Sequence, residues 1–247
     1  MKISRKFFFV LFIFFFVSCK ENKELKKYSF ALSGAISNPT EQYLILSEVG
    51  KSGFSQNDTI SLDKEGVFSK NIEMQEPTLY SLALGNEYII ICPTIGEQIT
   101  IKASGNNFSG TYNIEGSPES ELLKELNKEN YNVRLSLKSM SEELSKADTA
   151  KLDSIRTSII EKYTSTKQYQ EKITSDFINK NLGSLTTLIA LYRTFDGFAL
   201  FDYNQSLEMH KKVLQGLKQT LPNNQHTLTL ENFIAEKENA QNTNGTK

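Results

Sequence analysis

The period of the apolar residues changes once, at Gly116-Ser117-Pro118, and that change decides what the chain can become. Before it, apolar residues alternate with small or polar ones. Phe30, Leu32, Gly34 and Ile36 share one phase, Tyr43 to Leu46 follow Asn38-Pro39, and Thr59 to Leu62 returns as Val67 to Ile72 across Asp63-Lys64-Glu65-Gly66. Gly50 to Asp58 reads as a loop. Thr78–Leu84, Tyr88–Cys92, Gln98–Ala103 and Thr111–Glu115 bring the count to about eight short strands. Strands of this length and spacing, with turn residues between them, predict an antiparallel sandwich or barrel.

After Ser117 the period is helical. Ser117 is a good N-cap, Pro118 suits the first helical position, and Glu119 and Glu121 complement the helix dipole. Leu126, Val133 and Met140 are seven apart. Leu123, Asn130, Leu137 and Leu144 form a second such row with one polar interruption. Ala147-Asp148-Thr149 turns the chain. Leu152, Ile155, Ile159, Tyr163, Ile173 and Phe177 then mark a second helix antiparallel to the first. Further helices read over Leu185–Tyr192, Ser206–Leu221 (stopped by Pro222-Asn223-Asn224) and Leu228–Ala235. The fold class is therefore α+β: a β-sandwich or barrel-like domain over 28–116, then an α-helical domain with a long helical hairpin over 117–234, then a polar tail read as disordered over 235–247.

The first 27 residues belong to neither part. Lys2, Arg5 and Lys6 precede Phe7–Val17, an unbroken apolar run of eleven residues that holds seven of the 16 Phe. A run this short does not span a bilayer, which takes about 20 residues, and it fits the core of a signal peptide. Phe16-Val17-Ser18-Cys19 resembles a bacterial lipobox, with Phe where Leu is usual. The resemblance implies cleavage between Ser18 and Cys19 by signal peptidase II. It also implies a diacylglyceryl group on the Cys19 thiol and an acyl chain, such as palmitate, on the new α-amine. Several acyl chains hold a protein stably where one is marginal.

Losing residues 1–18 removes three basic residues and no acid, leaving 25 basic against 29 acidic. That balance gives no general attraction to anionic lipid, so the acyl groups must do the anchoring. Lys20, not Asp, follows the cysteine, which points to the outer membrane, with the periplasmic or surface face left open. Residues 20–27 (KENKELKK) read as a solvated tether.

The same arithmetic excludes several functions. With 28 Lys+Arg against 29 Asp+Glu, the chain is no basic nucleic-acid binder. Two Cys and two His support neither a disulfide scaffold nor a multi-cysteine zinc site. No cofactor motif stands out, and no metal is expected. Once Cys19 is acylated, Cys92 is the one remaining thiol; it lies in the apolar run Tyr88–Cys92 and reads as buried and inert, since dithiol chemistry needs a second sulfur.

His210 and His226 lie in separate segments and read as surface residues. Gly50-Lys51-Ser52 lacks the leading glycine of a phosphate loop, because position 45 is Ile45. Ser61-Leu62-Asp63-Lys64 matches a serine acyl-enzyme string but straddles a turn. Glu119/Glu121 and Glu142-Glu143 read as solvated helix faces. The aromatic cluster Tyr192, Phe195, Phe198, Phe201 and Tyr203 reads first as a plug between helices and sheet, and alternatively as a groove for a partner or apolar ligand.

The order of these parts, together with Asp58–Leu62, Asp63–Phe68, Gly96–Ile101, Ile114–Ser117 and Asn181-x-x-Ser184-Leu185, resembles a known group. It is the N-terminal half of Bacteroidota lipoproteins of the AhpC/TSA, TlpA-like thiol–disulfide oxidoreductase group, whose β part is a domain of unknown function ahead of a thioredoxin domain. In that group the redox chemistry belongs to the C-terminal thioredoxin domain. The present sequence ends about where that domain would start and has no active-site cysteine pair. The resemblance thus implies an address and a fold, without oxidoreductase activity here. The expected function is that of a membrane-anchored, non-catalytic binding or interaction module of the cell envelope, with an envelope protein as possible partner. The alternatives are an accessory module that docks a separate thioredoxin-like oxidoreductase in trans, and an enzyme with a site built from scattered polar residues.

Overall fold

The computed structural model describes residues 28–50 and 53–244. Eight strands come first: β1 (Tyr28–Ser37), β2 (Tyr43–Gly50), β3 (Gly53–Ser61), β4 (Val67–Met74), β5 (Tyr80–Leu84), β6 (Glu87–Ile91), β7 (Gln98–Ser104) and β8 (Asn113–Glu115). A four-residue helix, α1 (Phe108–Thr111), precedes β8. The strands form two sheets, ordered β4-β1-β7-β8 and β3-β2-β5-β6. Neither closes into a barrel.

The two-residue period does what it predicts. Phe30, Leu32 and Ile36 of β1 are buried, and so are Leu44 and Leu46 of β2, Leu82 and Leu84 of β5, and Ile99 and Ile101 of β7. All belong to one apolar cluster shared by the two sheets, with the Phe30 and Tyr80 rings 5.5 Å apart across it. Gly34 sits in the same phase for a steric reason: a Cβ there would stand 1.8 Å from the Ile101 carbonyl oxygen.

Two features depart from the sequence reading. The sandwich is mixed rather than antiparallel throughout, because β1 pairs parallel with β7 from Ala31↔Gln98 to Ser37↔Ser104. Alternation reports which face is buried and is blind to strand direction. The stretch read as a loop from Gly50 also contributes a strand: β2 and β3 pair to Gly50↔Gly53, past a bulge at Ser47/Glu48. Gly53, Phe54 and Ser55 are exposed at this edge, so no buried phase marks them. The β3–β4 turn forms as expected, with Asp63 Oδ1 accepting from the Glu65 and Val67 amides (2.9 and 2.8 Å) and Gly66 at φ +78°.

The helical part follows: α2 (Pro118–Ser145), α3 (Leu152–Lys180), α4 (Thr186–Leu191), a two-residue hairpin of β9 (Thr194–Phe195) and β10 (Phe198–Ala199), α5 (Tyr203–Thr220) and α6 (Gln225–Asn244). α2 and α3 are the long antiparallel pair. Leu126, Val133 and Met140 are all buried, and the polar interruption is matched across the seam, where Gln170 Nε2 donates to Asn130 Oδ1 at 3.0 Å. A second apolar cluster joins Leu123, Leu126, Ile178, Leu188, Val213, Leu217, Leu230 and Ile234 to Leu79 and Cys92 at one end of the β3-β2-β5-β6 sheet. That cluster seats the helices on the sandwich. Among the described residues no helix is long and apolar enough to cross a membrane.

The last helix corrects the reading of the C-terminal segment. It starts at Gln225 and runs to Asn244, whereas the sequence reading ended it at Ala235 and put a disordered tail over 235–247. The extra turns carry few apolar residues and are held by Lys211 of α5 on Glu238 (2.9 Å) and, within α6, by Lys237 over the Phe233 ring (5.6 Å).

Candidate functional site at the junction of sheet and helices

A polar constellation forms where the β4–β5 connection meets the start of α6. Pro222-Asn223-Asn224 ends α5, and Asn224 (4% exposed) then joins two parts of the chain. Its Nδ2 donates to the Pro77 carbonyl (2.7 Å), and its Oδ1 accepts from the His226 amide (3.0 Å). The Gln225 amide donates to Glu76 Oε1 (3.1 Å) and its Nε2 to Glu48 Oε1 (2.9 Å). Thr78, only 2% exposed, lies at the centre. Its hydroxyl donates to Glu48 Oε1 (3.2 Å), and its oxygen lies 2.8 Å from His226 Nε2.

A hydroxyl, an imidazole and a carboxylate are the parts of a nucleophilic relay, but their order here is inverted. A relay places the imidazole between hydroxyl and carboxylate, so that the ring takes the hydroxyl proton. Here the hydroxyl is in the middle and its proton faces Glu48. Its lone pair is left to accept from Nε2 in the ring tautomer that carries a proton there. Burial lowers the His226 pKa below 6.5, with Glu76 and Glu48 opposing, which favours the neutral ring. Burial, then Glu48, pushes the Tyr80 phenol up to about 12. The arrangement clamps α6 to the sandwich. In this order the imidazole does not stand between hydroxyl and carboxylate, as a relay requires.

A second constellation surrounds Cys92, which is 1% exposed as the sequence reading expects. The Cys92 amide donates to Ser120 Oγ (3.0 Å), Ser117 Oγ donates to the Cys92 carbonyl (3.4 Å), and the two serine hydroxyls are 2.8 Å apart. The cap of α2 is thus stitched to the end of β6. Burial, with Glu119 and Glu97 adding to it, drives the Cys92 thiol far above its ordinary pKa, so no thiolate forms. Glu119 accepts from the Ser184 hydroxyl, and Ser184 Oγ also accepts from the Thr186 amide (3.0 Å). Asn181 Nδ2 donates to the Phe177 carbonyl (2.8 Å), and Leu185 is buried. The Asn181-x-x-Ser184-Leu185 string therefore ends α3 and starts α4.

Neither histidine is the surface residue that its sequence context predicts. His226 is half-buried in the clamp. His210 is 2% exposed among the rings of Tyr203 (5.3 Å), Phe233 (6.2 Å) and Tyr192 (6.3 Å). Its Nδ1 donates to the Ser206 carbonyl (2.9 Å), at a residue whose φ of −130° breaks the helix. An imidazole can satisfy that carbonyl from inside an aromatic nest, and spacing along the chain gives no sign of it.

The aromatic cluster divides: Tyr203, with Phe201 against it, lies in the apolar cluster that joins helices to sheet, as expected, and the other three do not. Phe195 packs with Val133, Leu137, Tyr163 and Leu200, between the β9–β10 hairpin and the α2–α3 pair, not between helices and sheet. Tyr192 and Phe198 are exposed. Glu142 and Glu143 pair with Lys146 and Lys162, a solvated face as expected. Ser18, Cys19, Lys51 and Ser52 lie outside the described residues. Among the described residues no three His, Cys, Asp or Glu side chains come together as a metal site.

An open groove lies between β8 and the first two turns of α2, with a volume of about 600 Å³. Ile114, Pro118 and Leu122 give it an apolar lining, and Glu115, Glu121 and Glu125 an acidic one.

No curated protein matches the chain. Five solved chains match it. One, described as a "putative cell adhesion protein" from Bacteroides ovatus ATCC 8483, is 15% identical, with a TM-score of 0.23. That match spans 37% of the present chain and 43% of the other, and a score this low establishes no shared fold. The sandwich and the opening turns of α2, residues 30–123, match the family described as Domain of unknown function (DUF4369).

Proposed function

We propose that the chain is an envelope lipoprotein, held at the outer membrane by acyl groups on Cys19, whose sandwich and helical layer serve as a non-catalytic interaction module. The observation that carries the non-catalytic part is the order at Thr78, whose hydroxyl donates to Glu48 and stands between that carboxylate and His226 Nε2, where a relay would have the imidazole in the middle. The match to a domain of unknown function is compatible with it. The anchoring part rests on the sequence of residues 1–19.

Intact-mass analysis of material purified from envelopes tests the anchor. Acyl mass on a chain beginning at Cys19, lost in Cys19→Ser, supports it; retention of Met1 or no acyl mass overturns it. A turnover activity abolished by Thr78→Val or His226→Gln in a folded chain would overturn the non-catalytic reading.

The resemblance to the N-terminal half of AhpC/TSA, TlpA-like lipoproteins supports a narrower version. In it the module docks a separate thioredoxin-like oxidoreductase in trans. Cross-linking in intact envelopes that recovers no thiol-active protein would count against that version.

A further inference from the structure

We propose that Lys70 bars the outer edge of β4 to strand pairing with a second copy of this chain. β4 ends one sheet and β3 ends the other, and the short turn at 63–66 joins them. An open edge eight residues long is a template for another strand. The Ile36 amide donates to the Gly66 carbonyl (2.9 Å), which sets the phase of the β1–β4 ladder. In that phase Phe68, Lys70 and Ile72 turn their backbone groups toward β1, and Ser69 and Asn71 turn theirs outward. Val67 faces outward too, but Asp63 engages both its amide and its carbonyl. No other described strand pairs with β4.

A second β4 laid antiparallel would continue both sheet faces when even-numbered residues meet even-numbered ones. With Ser69 opposite the copy's Asn71, and Asn71 opposite its Ser69, each pair exchanges amide–carbonyl bonds across a two-fold axis. Phe68 and Ile72, both buried, would then face their counterparts in one apolar row. Lys70 sits in the middle of that row. Its ammonium turns across the mouth between the sheets, donating to Asp58 Oδ1 (2.5 Å) and to the Thr59 carbonyl of β3 (3.2 Å). In the centred register it meets the copy's Lys70. Moving the register by one step either way sets it against Phe68 or Ile72. Pairing would thus strip water from the Lys70–Asp58 pair and place the ammonium opposite a like charge or an apolar side chain. The length, the alternation and the outward backbone groups of β4 favour a partner strand; one inward-phase charge opposes it.

Sedimentation velocity on the full chain in a single detergent tests this, read as mass relative to the unsubstituted protein. Lys70→Val removes the ammonium and keeps a good strand former, and Lys70→Thr does so with a polar side chain. Far-UV circular dichroism checks both for folding. The expected result is a doubled protein mass for both variants, with Lys70→Arg unchanged. Adding Asn71→Pro to Lys70→Val should restore the original mass, because proline there removes an outward amide and no bond to β1. An unchanged mass in either folded variant overturns the proposal, and so does a doubled mass that Asn71→Pro leaves in place. A doubled mass in Lys70→Arg, or an unsubstituted mass that Asn71→Pro alone halves, overturns it as well. Loss of the fold in both variants also overturns it, since Lys70 would then hold the sandwich together instead of guarding its edge. Every comparison is made within one detergent, so the result stands whether or not Cys19 carries lipid.

Discussion

Arg193 is a buried cation without a counter-ion among the described residues, and removing its charge should be tolerated better than removing its bulk. The side chain is 7% exposed. Its guanidinium donates to the Leu126 carbonyl and to Asn127 Oδ1, both at 3.1 Å, and it forms no ion pair among the described residues. Burial lowers its pKa from the ordinary arginine value to about 10, Tyr112 opposing and Arg134 assisting. At ~1.4 kcal/mol per pH unit, burial penalises the charged form by about 3 kcal/mol. This penalty is constant below about pH 10, since the group stays protonated in folded and unfolded chains alike.

Against it stand two charge-assisted hydrogen bonds, about 1.5–3 kcal/mol each. Neither acceptor would be stranded by their loss. The Leu126 carbonyl lies inside α2, and Asn127 is only half-buried. Arg193→Met, which keeps the stem volume, should therefore cost about 0–3 kcal/mol. Arg193→Ala also loses about three buried methylenes and opens a cavity, adding about 2–3 kcal/mol. Urea unfolding of both variants gives the comparison, provided the slope with denaturant is unchanged. If Met costs as much as Ala, the charge rather than the packing is what holds the helices, and the reasoning fails.

Three further outcomes follow from the junction and the helix contacts. Ser117→Ala removes the cap of α2 and its bond to the Cys92 carbonyl, and should cost about 1–2 kcal/mol in chemical denaturation. Gly216→Ala puts a methyl 2.8 Å from the Gly183 amide nitrogen, itself at φ +95°, so thermal melting should show about 1–3 kcal/mol of destabilisation. His226 has a folded pKa below its ordinary 6.5, so the unfolded chain takes up the proton first on acidification. The His226 contribution to stability is complete above pH 6.5 and declines below it; His226→Gln should remove that part of the pH dependence, seen as a flatter stability curve just below pH 6.5.

How much of this was legible in the sequence depends on whether burial leaves a period. The sandwich strands with one buried face were readable, because Leu32, Ile36, Leu44 and Leu46 recur every second residue. The α2–α3 pair was readable for the same reason at heptad spacing, and its single blemish, Asn130, turned out to have Gln170 opposite it. The parallel pairing of β1 with β7 left no trace, because direction changes the slant of hydrogen bonds and leaves the buried face unchanged. The outer turns of α6 were missed because an ion pair and a cation over a ring hold them, and neither repeats along the chain.

The junction was invisible for a further reason. Thr78 and His226 are 148 residues apart and Glu48 lies on a third element, so no spacing rule connects them. The signal that was present is indirect. Pro222-Asn223-Asn224 marks a helix stop, and an Asn just before a helix start seeks an amide to cap. Such a residue predicts that the next helix begins there. Its second bond, to the Pro77 carbonyl, is what makes the helix start a docking point rather than a free end. A sequence can announce a cap, but the partner a cap brings into place is a property of the assembled layers, and in this chain that partner is the β4–β5 connection.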